Sequence, residues 1–417
     1  MKRIILFTLI ILCMFSFADT LAASNETIKV GAIYPLSGSL SPIGTNCKNA
    51  IELAAMIVNN SYDIDLPLAK NAGLQGIDNA KVEVVFGDSQ GLPVNGKAEA
   101  ERLINQQNVV GIVGCFQSAV AVTISLECER SKVPFVVADA SASTLADPRY
   151  QYFFRTSHTD QSTSDTQLNF IKELNKLGAG LETLALIFEN SESGKNQSIL
   201  LEKKVKNTEF DLVENIAFAT GITDVTSEVQ RIKIADPDVI IQGSYVSDAI
   251  LFTKTYKTQN YTPKILITDE GGFAASQYLD TLGDDGNYVM VVSSWNIDLL
   301  EANELAKQVN DLYYEQYGKN MDSINARSFV GALVMFMAID KAGSNDPSEI
   351  QKALLDTDID QSQLIGVSGV KFDPETHENI RASLLVTQII DEKYQIIWPF
   401  DFKIADYVFP IPKWNER

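Results

Sequence analysis

Two histidines, His158 and His377, are all the imidazole that this 417-residue chain carries. Neither stands at metal-ligand spacing from another His or a Cys, so zinc and haem centres lack a ligand set. No GxxxxGK(S/T) loop and no GxGxxG turn opens a helix after a strand, which removes the common nucleotide signatures. The nucleophile elbow GxSxG is absent too. Cys115 lies between Gly114 and Phe116, with no His or basic neighbour to lower its pKa, and reads as a structural thiol, not a nucleophile. The expectation is a protein that is not an enzyme and uses no cofactor or metal.

Binding chemistry is better represented. In "GIVGCFQSAVAVTISLECER", residues 111–130, a strand ends, the chain turns, and Ser118 stands where a helix begins. Free N–H groups and the helix dipole at such a point hold an anion without a formal positive charge; the plainer reading is that Ser118 caps its own helix. The next strand runs into "VVADASAST", where Ser141 and Ser143 offer hydroxyls beside Asp139, although small polar loops are often simple turns. Further on, "QGSYVSDAI" places Tyr245 at a strand end, and "ITDEGGFAAS" places Asp269 and Glu270 before two glycines. A carboxylate there receives an ammonium group and an aromatic face covers it. Serine donors on one side, with an acid and a tyrosine on the other, suit an amino acid zwitterion.

These residues need strands and helices in alternation to bring them to one edge. Short β-rich runs at Ile28–Tyr34, Lys81–Asp88, Val109–Gly114, Val133–Ala138 and Tyr152–Thr156 alternate with helical patterns at 44–60, 96–107 and 118–131. The rhythm restarts with strands at Thr183–Glu189, Leu212–Ala219, Asp238–Tyr245, Lys264–Thr268 and Tyr288–Ser293, separated by helices at 161–176, 195–206, 225–235 and 246–259. Such alternation predicts parallel sheets with helices on both faces, hence an α/β fold of two doubly wound lobes. Helices at 301–317, 325–342 and 347–355 follow, then β-like segments at 381–390 and 394–398 and an aromatic tail from Phe400. In such sheets ligands sit beyond the carboxyl ends of the strands.

The first residues carry Lys2 and Arg3, an apolar run from Ile4 to Phe17, and small residues at Ala18, Ala22 and Ala23. That order predicts a signal peptide over residues 1–23, with cleavage after any of those three alanines, and an exported protein. No later stretch is expected to span a bilayer. The net charge of −20 repels phosphate backbones and excludes nucleic acid as a partner. Cys47, Cys115 and Cys128 lie beyond the leader. A Cys47–Cys115 disulfide and three free thiols both stand open, the second favoured.

The markers "IKVGAIYPLSGSLSPIG", "VVGIVGCFQSAVA", "VPFVVADASAS", "YFFRTS", "DVIIQGSYVSDA", "DEGG" and "GVSGVKFD" occur in an order that resembles the extracytoplasmic substrate-binding proteins of ABC importers for branched-chain amino acids. The resemblance runs from about Ile28 to Trp398. It implies a type I periplasmic binding protein fold, with two lobes joined by a three-segment hinge that closes on a ligand. Residues 24–155 and 296–370 would form the first lobe, 156–295 and 371–399 the second, and 400–417 a tail. It further implies that Ser118 and Ser141 hold the ligand carboxylate. The ammonium would face Glu270, helped by the backbone near Asp139, with Tyr245 lining the cleft. Ser193 stands where the branched-chain binders carry a ligand-facing tyrosine, and Asp139 adds a charge where an apolar residue is expected. The family's small disulfide has no matching pair, one partner position being Gln117. These departures favour an amino-acid-like ligand that is more polar, or cationic. The implied partners are that ligand and a membrane permease, the protein itself being a monomer. A ligand-sensing role on the same fold is the alternative.

Overall fold

Strands β1 (Thr27–Tyr34), β2 (Lys81–Asp88), β3 (Ile112–Gly114), β4 (Phe135–Val137) and β5 (Phe153–Arg155) form one sheet in the order β2-β1-β3-β4-β5. Every pair in it is parallel. The coordinates are a computed structural model that describes residues 27–417; the expected signal peptide lies outside the described residues. Register sets Ala32 beside Val113, Val113 beside Val136, and Val136 beside Phe154, all buried. A strand covered on both faces reads as a continuous apolar run, which is why the sequence gives it away.

The second sheet contains β6 (Thr183–Glu189), β7 (Asp211–Phe218), β8 (Val239–Gly243), β9 (Ile265–Thr268) and β10 (Met290–Ser293), mutually parallel where they pair. A short ribbon of β11 (Asp358–Ile359) and β12 (Val370–Lys371) follows in the chain. Then β13 (Leu385–Ile390) and β14 (Lys393–Trp398) join the second sheet antiparallel, giving the order β14-β13-β10-β9-β8-β6-β7. The protein is therefore a bilobed α/β fold, with one lobe's parallel sheet extended by an antiparallel pair.

Helix starts differ from the sequence reading where proline occupies the first turn. Helix Ser41–Asn59 takes in Pro42, and helix Pro93–Asn105 begins on Pro93, because a first-turn proline has the right φ and loses no hydrogen bond. The helix expected at 301–317 is broken into Leu299–Ala302 and Glu304–Tyr317 by Asn303, whose side chain caps the second piece through the Ala306 amide. Helix Ser323–Ala342 starts on a capping box made by Asp322 and Asn325. Against the expectation of none, it is long and apolar enough to cross a membrane. It is a core helix instead, largely buried against helix Ser41–Asn59 and against β3 and β4.

The chain passes between the sheets after β5, after β10 and again before β13. The first and third passages are stitched by Asn379. Its Nδ2 donates to the carbonyls of Thr156 (2.9 Å) and Gly369 (3.0 Å), and its backbone N–H donates to the Arg155 carbonyl. His377 stacks on Phe154 with ring centroids 4.6 Å apart. The tail lies on the second lobe: Trp414 Nε1 donates to the Tyr261 carbonyl and the Ile411 amide to that of Lys264. Cys47, Cys115 and Cys128 are buried free thiols, so Cys47 and Cys115 form no bridge.

Candidate functional site

The carboxyl ends of both sheets face each other across one cleft. Ser118, Asp139, Ser141, Ser193, Tyr245 and Glu270, the six residues singled out from the sequence, all line it. Glycines make this edge possible. A Cβ on Gly272 would stand 2.2 Å from the Val246 amide nitrogen, and one on Gly194 would stand 2.1 Å from the Glu189 carbonyl oxygen. The "DEGG" and "ESGK" turns therefore pack backbone on backbone in a way that other residues block.

From the first lobe, Ser118 is the first residue of helix Ser118–Ser131 and does not cap it. The cap position is Gln117, with no side-chain hydrogen bond. The Ser118 hydroxyl instead accepts from the Ala142 amide at 3.2 Å, tying the two serine loops together. Buried Arg155 supports the same loop by donating to the carbonyls of Ala140 (3.1 Å) and Ala142 (2.9 Å), while pairing with Glu378 of the third passage. Helix start, serine loop and third passage are thus tied together at one corner of the cleft.

Asp139 is buried and fully bonded. Its Oδ2 accepts from the Tyr34 hydroxyl (2.8 Å) and Ser328 Oγ (2.9 Å), and its Oδ1 accepts from Arg327 Nε (3.2 Å). Burial raises its pKa, and the Arg327 charge opposes that rise. From the second lobe, Glu270 Oε1 accepts from the Ser294 amide (2.9 Å) and hydroxyl (3.0 Å), and Oε2 pairs with Arg327. His158 Nδ1 lies 3.4 Å from the same oxygen. Burial, then the charges of Arg327 and Arg155, lower the His158 pKa well below its usual value, so the ring is neutral.

Arg327 was not named from the sequence. It lies one turn into helix Ser323–Ala342 and joins Asp139 of one lobe to Glu270 of the other. The sequence does carry a signal: a single Arg within the largely apolar "SINARSFVGALVMFMAID" calls for a carboxylate once its helix is packed into the core. Other bonds cross the cleft beside it. Ser141 and Ser193 hydroxyls are 3.2 Å apart, the Ser143 amide donates to Asn196 Oδ1 (3.1 Å), and the Phe116 and Tyr245 rings pack at 5.7 Å. The lobes are closed on one another.

Behind Ser193 and Tyr245 the second lobe gathers further acids. Ser193 Oγ donates to Asp160 Oδ1 (2.8 Å), and the Tyr245 amide donates to Glu189 Oε2 (3.3 Å). Gln197 Nε2 bridges Asp160 Oδ1 (3.2 Å) and Asp269 Oδ2 (3.4 Å). Burial raises Asp160 to about 6, Glu189 to about 8 and Asp269 to about 7. Glu189 follows the same strand-end rule as Tyr245, but it closes an apolar run, "TLALIFE", in which it reads as part of the strand. Among the described residues no group of His, Cys, Asp and Glu is gathered tightly enough to hold a metal ion. Burial raises the Cys115 pKa far above the usual thiol range, which leaves it inert.

Comparison with known proteins agrees with this architecture. A family described as periplasmic binding protein matches residues 27–393. The chain is 27% identical over 402 residues to a Leu/Ile/Val-binding protein homolog of Brucella abortus, covering 93% of this chain and 96% of the relative. Its fold is similar to that of a leucine-binding protein from Thermotoga maritima, with a TM-score of 0.76, 19% identity, and coverage of 90% and 100% of the two chains. A solute-binding protein from R. palustris in complex with 4-hydroxybenzoate is also similar, with a TM-score of 0.73, 21% identity, and coverage of 94% and 99%.

Proposed function

Since the chain belongs to the periplasmic binding protein family, whose members are non-catalytic binders of solutes, we propose that it captures an amino acid or a close analogue outside the cytoplasm and delivers it to an ABC importer. The observation that carries this reading is the cleft itself. Serine hydroxyls and a helix start from one lobe face carboxylates and a tyrosine from the other, so a zwitterion touches both lobes at once. The ligand carboxylate is received by Ser118, Ser141 and the amides opening helix Ser118–Ser131. The ammonium joins the Asp139–Arg327–Glu270 group, in which two carboxylates face one guanidinium and leave an excess negative charge for it. Tyr245, packed on Phe116, covers the ligand, and Ser193 stands beside Ser141 at the lobe contact.

The structural neighbours named for leucine and for 4-hydroxybenzoate take those names from two small molecules that both carry a carboxyl group and otherwise differ. That pattern supports a common carboxylate corner with a variable far side. Closure follows when contacts to both lobes favour the closed form, and a permease that recognises that form receives the cargo.

Thermal unfolding of the ligand-stripped protein against a panel of amino acids, amides, polyamines and short carboxylates tests the reading. A cognate ligand at about 100 times its Kd adds about 2.7 kcal/mol and raises Tm by several degrees. A panel in which no amino acid raises Tm removes the amino acid from the proposal.

A further inference from the structure

The acids behind Tyr245 have more acceptors than the protein supplies donors. Asp269 Oδ1, Asp160 Oδ2 and Gln197 Oε1 are sealed from solvent with no hydrogen-bond partner. Gln197 is 2% exposed and lines the cleft. Its Nε2 is committed to Asp160 and Asp269, which leaves its carbonyl oxygen without a donor. Asp269 and Glu189 line the same space at the ends of β9 and β6, the two strands that flank β8. Gly243 keeps the floor between them open, since a Cβ there would meet Phe188 at 2.5 Å and Asp269 Oδ2 at 3.0 Å.

No internal cation is bonded to these groups, although the charge of Arg155 acts on Asp160 and that of Arg327 on Asp269 from a distance, each opposing the rise caused by burial. Arg327, the single basic side chain among the described residues lining the cleft apart from the neutral His158, is committed to Asp139 and Glu270. Arg155 is committed to Glu378 and two carbonyls. A further charge acting on Glu189, that of Asp248 on helix Val246–Thr258, belongs to another acid and raises it. A buried cluster of acceptors without donors is unfavourable unless a charged donor arrives from outside.

We infer that the ligand brings a second positive charge, on its side chain, which Glu189 and Asp269 receive together with the Gln197 carbonyl. The substrate class is thus an amino acid with a basic side chain, an inference that rests on the amino-acid reading above. Ser193 fits this assignment: a hydroxyl bonded to Asp160 leaves room beside the acids where a tyrosine ring would fill it and bury their charge. Because Glu189 and Asp269 hold protons near neutrality when the cleft is empty, arrival of the cation expels them.

The test is isothermal titration of the ligand-stripped full chain with L-arginine, L-lysine, L-leucine and putrescine, at about pH 7.5, in two buffers of different ionisation enthalpy. Parent, Asp269→Asn and Glu189→Gln proteins are compared. The expected result is binding of arginine or lysine with a buffer-dependent heat, weakened about tenfold or more in either variant. Ligand-free, each variant should melt no lower than the parent, because a neutral amide of the same shape replaces a carboxyl whose charged form burial disfavours; this separates lost binding from lost folding. Leucine binding as tightly as the basic amino acids, with both variants indifferent, overturns the inference and leaves the amino-acid reading standing. Putrescine binding alone, weakened in the variants, supports the cation subsite and overturns the amino-acid reading. Binding of none of the four overturns both.

Discussion

Arg327 is the residue on which the closed cleft turns. Its guanidinium is bonded to a carboxylate of each lobe, and both acids are buried, Asp139 at 4% and Glu270 at 2% exposure. Replacing an ion pair of this kind with apolar groups on every side can be neutral, but removing one partner strands the charges of the others. Arg327→Met keeps most of the side-chain volume and deletes the charge. The expected outcome is a loss of about 3–5 kcal/mol in urea unfolding, or relief of that cost by opening of the lobes, seen as a larger radius of gyration in small-angle scattering. A variant that matches the parent in both measurements would show that Arg327 does not hold the lobes together.

At the scale of elements, the site is a set of strand ends held at the right depth by close backbone packing. The turn after β9 lies against the start of helix Val246–Thr258 through Gly272, so that contact sets the backbone of Asp269 and Glu270, whose side chains are then held by Gln197, Ser294 and Arg327. Gly272→Ala puts a methyl group into the Val246 backbone and must push the turn outward. A destabilisation of about 1–3 kcal/mol is expected from overpacking, with ligand affinity falling further than the stability change accounts for, as measured by titration and thermal unfolding on one sample. Equal affinity in parent and variant would mean that the turn does not position the acids. Strand ends are also what made the site legible in sequence: Ser118, Asp139, Ser141, Tyr245 and Glu270 each follow an apolar run within a few residues, so a local rule finds them. Arg327 obeys no local rule. It reaches Glu270 across 57 positions of chain through a helix that belongs to the other lobe, and that proximity exists only once the lobes close. Ser193 entered through the family resemblance, and its bond to Asp160 depends on how two helix starts from different parts of the chain abut. The antiparallel addition of β13 and β14 was equally hidden, because pairing direction leaves no mark on a short apolar strand.

For the whole molecule, the acid-rich cleft makes stability depend on pH in a definite direction. Unfolded carboxylates titrate near 4, whereas folding raises Asp160 to about 6, Asp269 to about 7 and Glu189 to about 8, burial being the main cause in each case. Between the unfolded and folded values the native state binds more protons than the unfolded chain, so unfolding releases protons and stability falls as pH rises. Protonation of these groups therefore stabilises the folded protein fully below about pH 4, and that stabilisation is lost progressively as pH climbs through about 6 to 8. The ligand-free protein should melt several degrees higher at about pH 5.5 than at about pH 8.5. A bound cation that neutralises Glu189 and Asp269 removes the reason for protonation, so saturating ligand should flatten the profile and give its largest Tm increment at the alkaline end. Melting curves across that range, with and without ligand, separate the two contributions. A ligand-free Tm that rises steadily toward pH 8.5 would mean that these carboxylates are solvated in the empty cleft, that is, that the lobes stand open until the ligand draws them together.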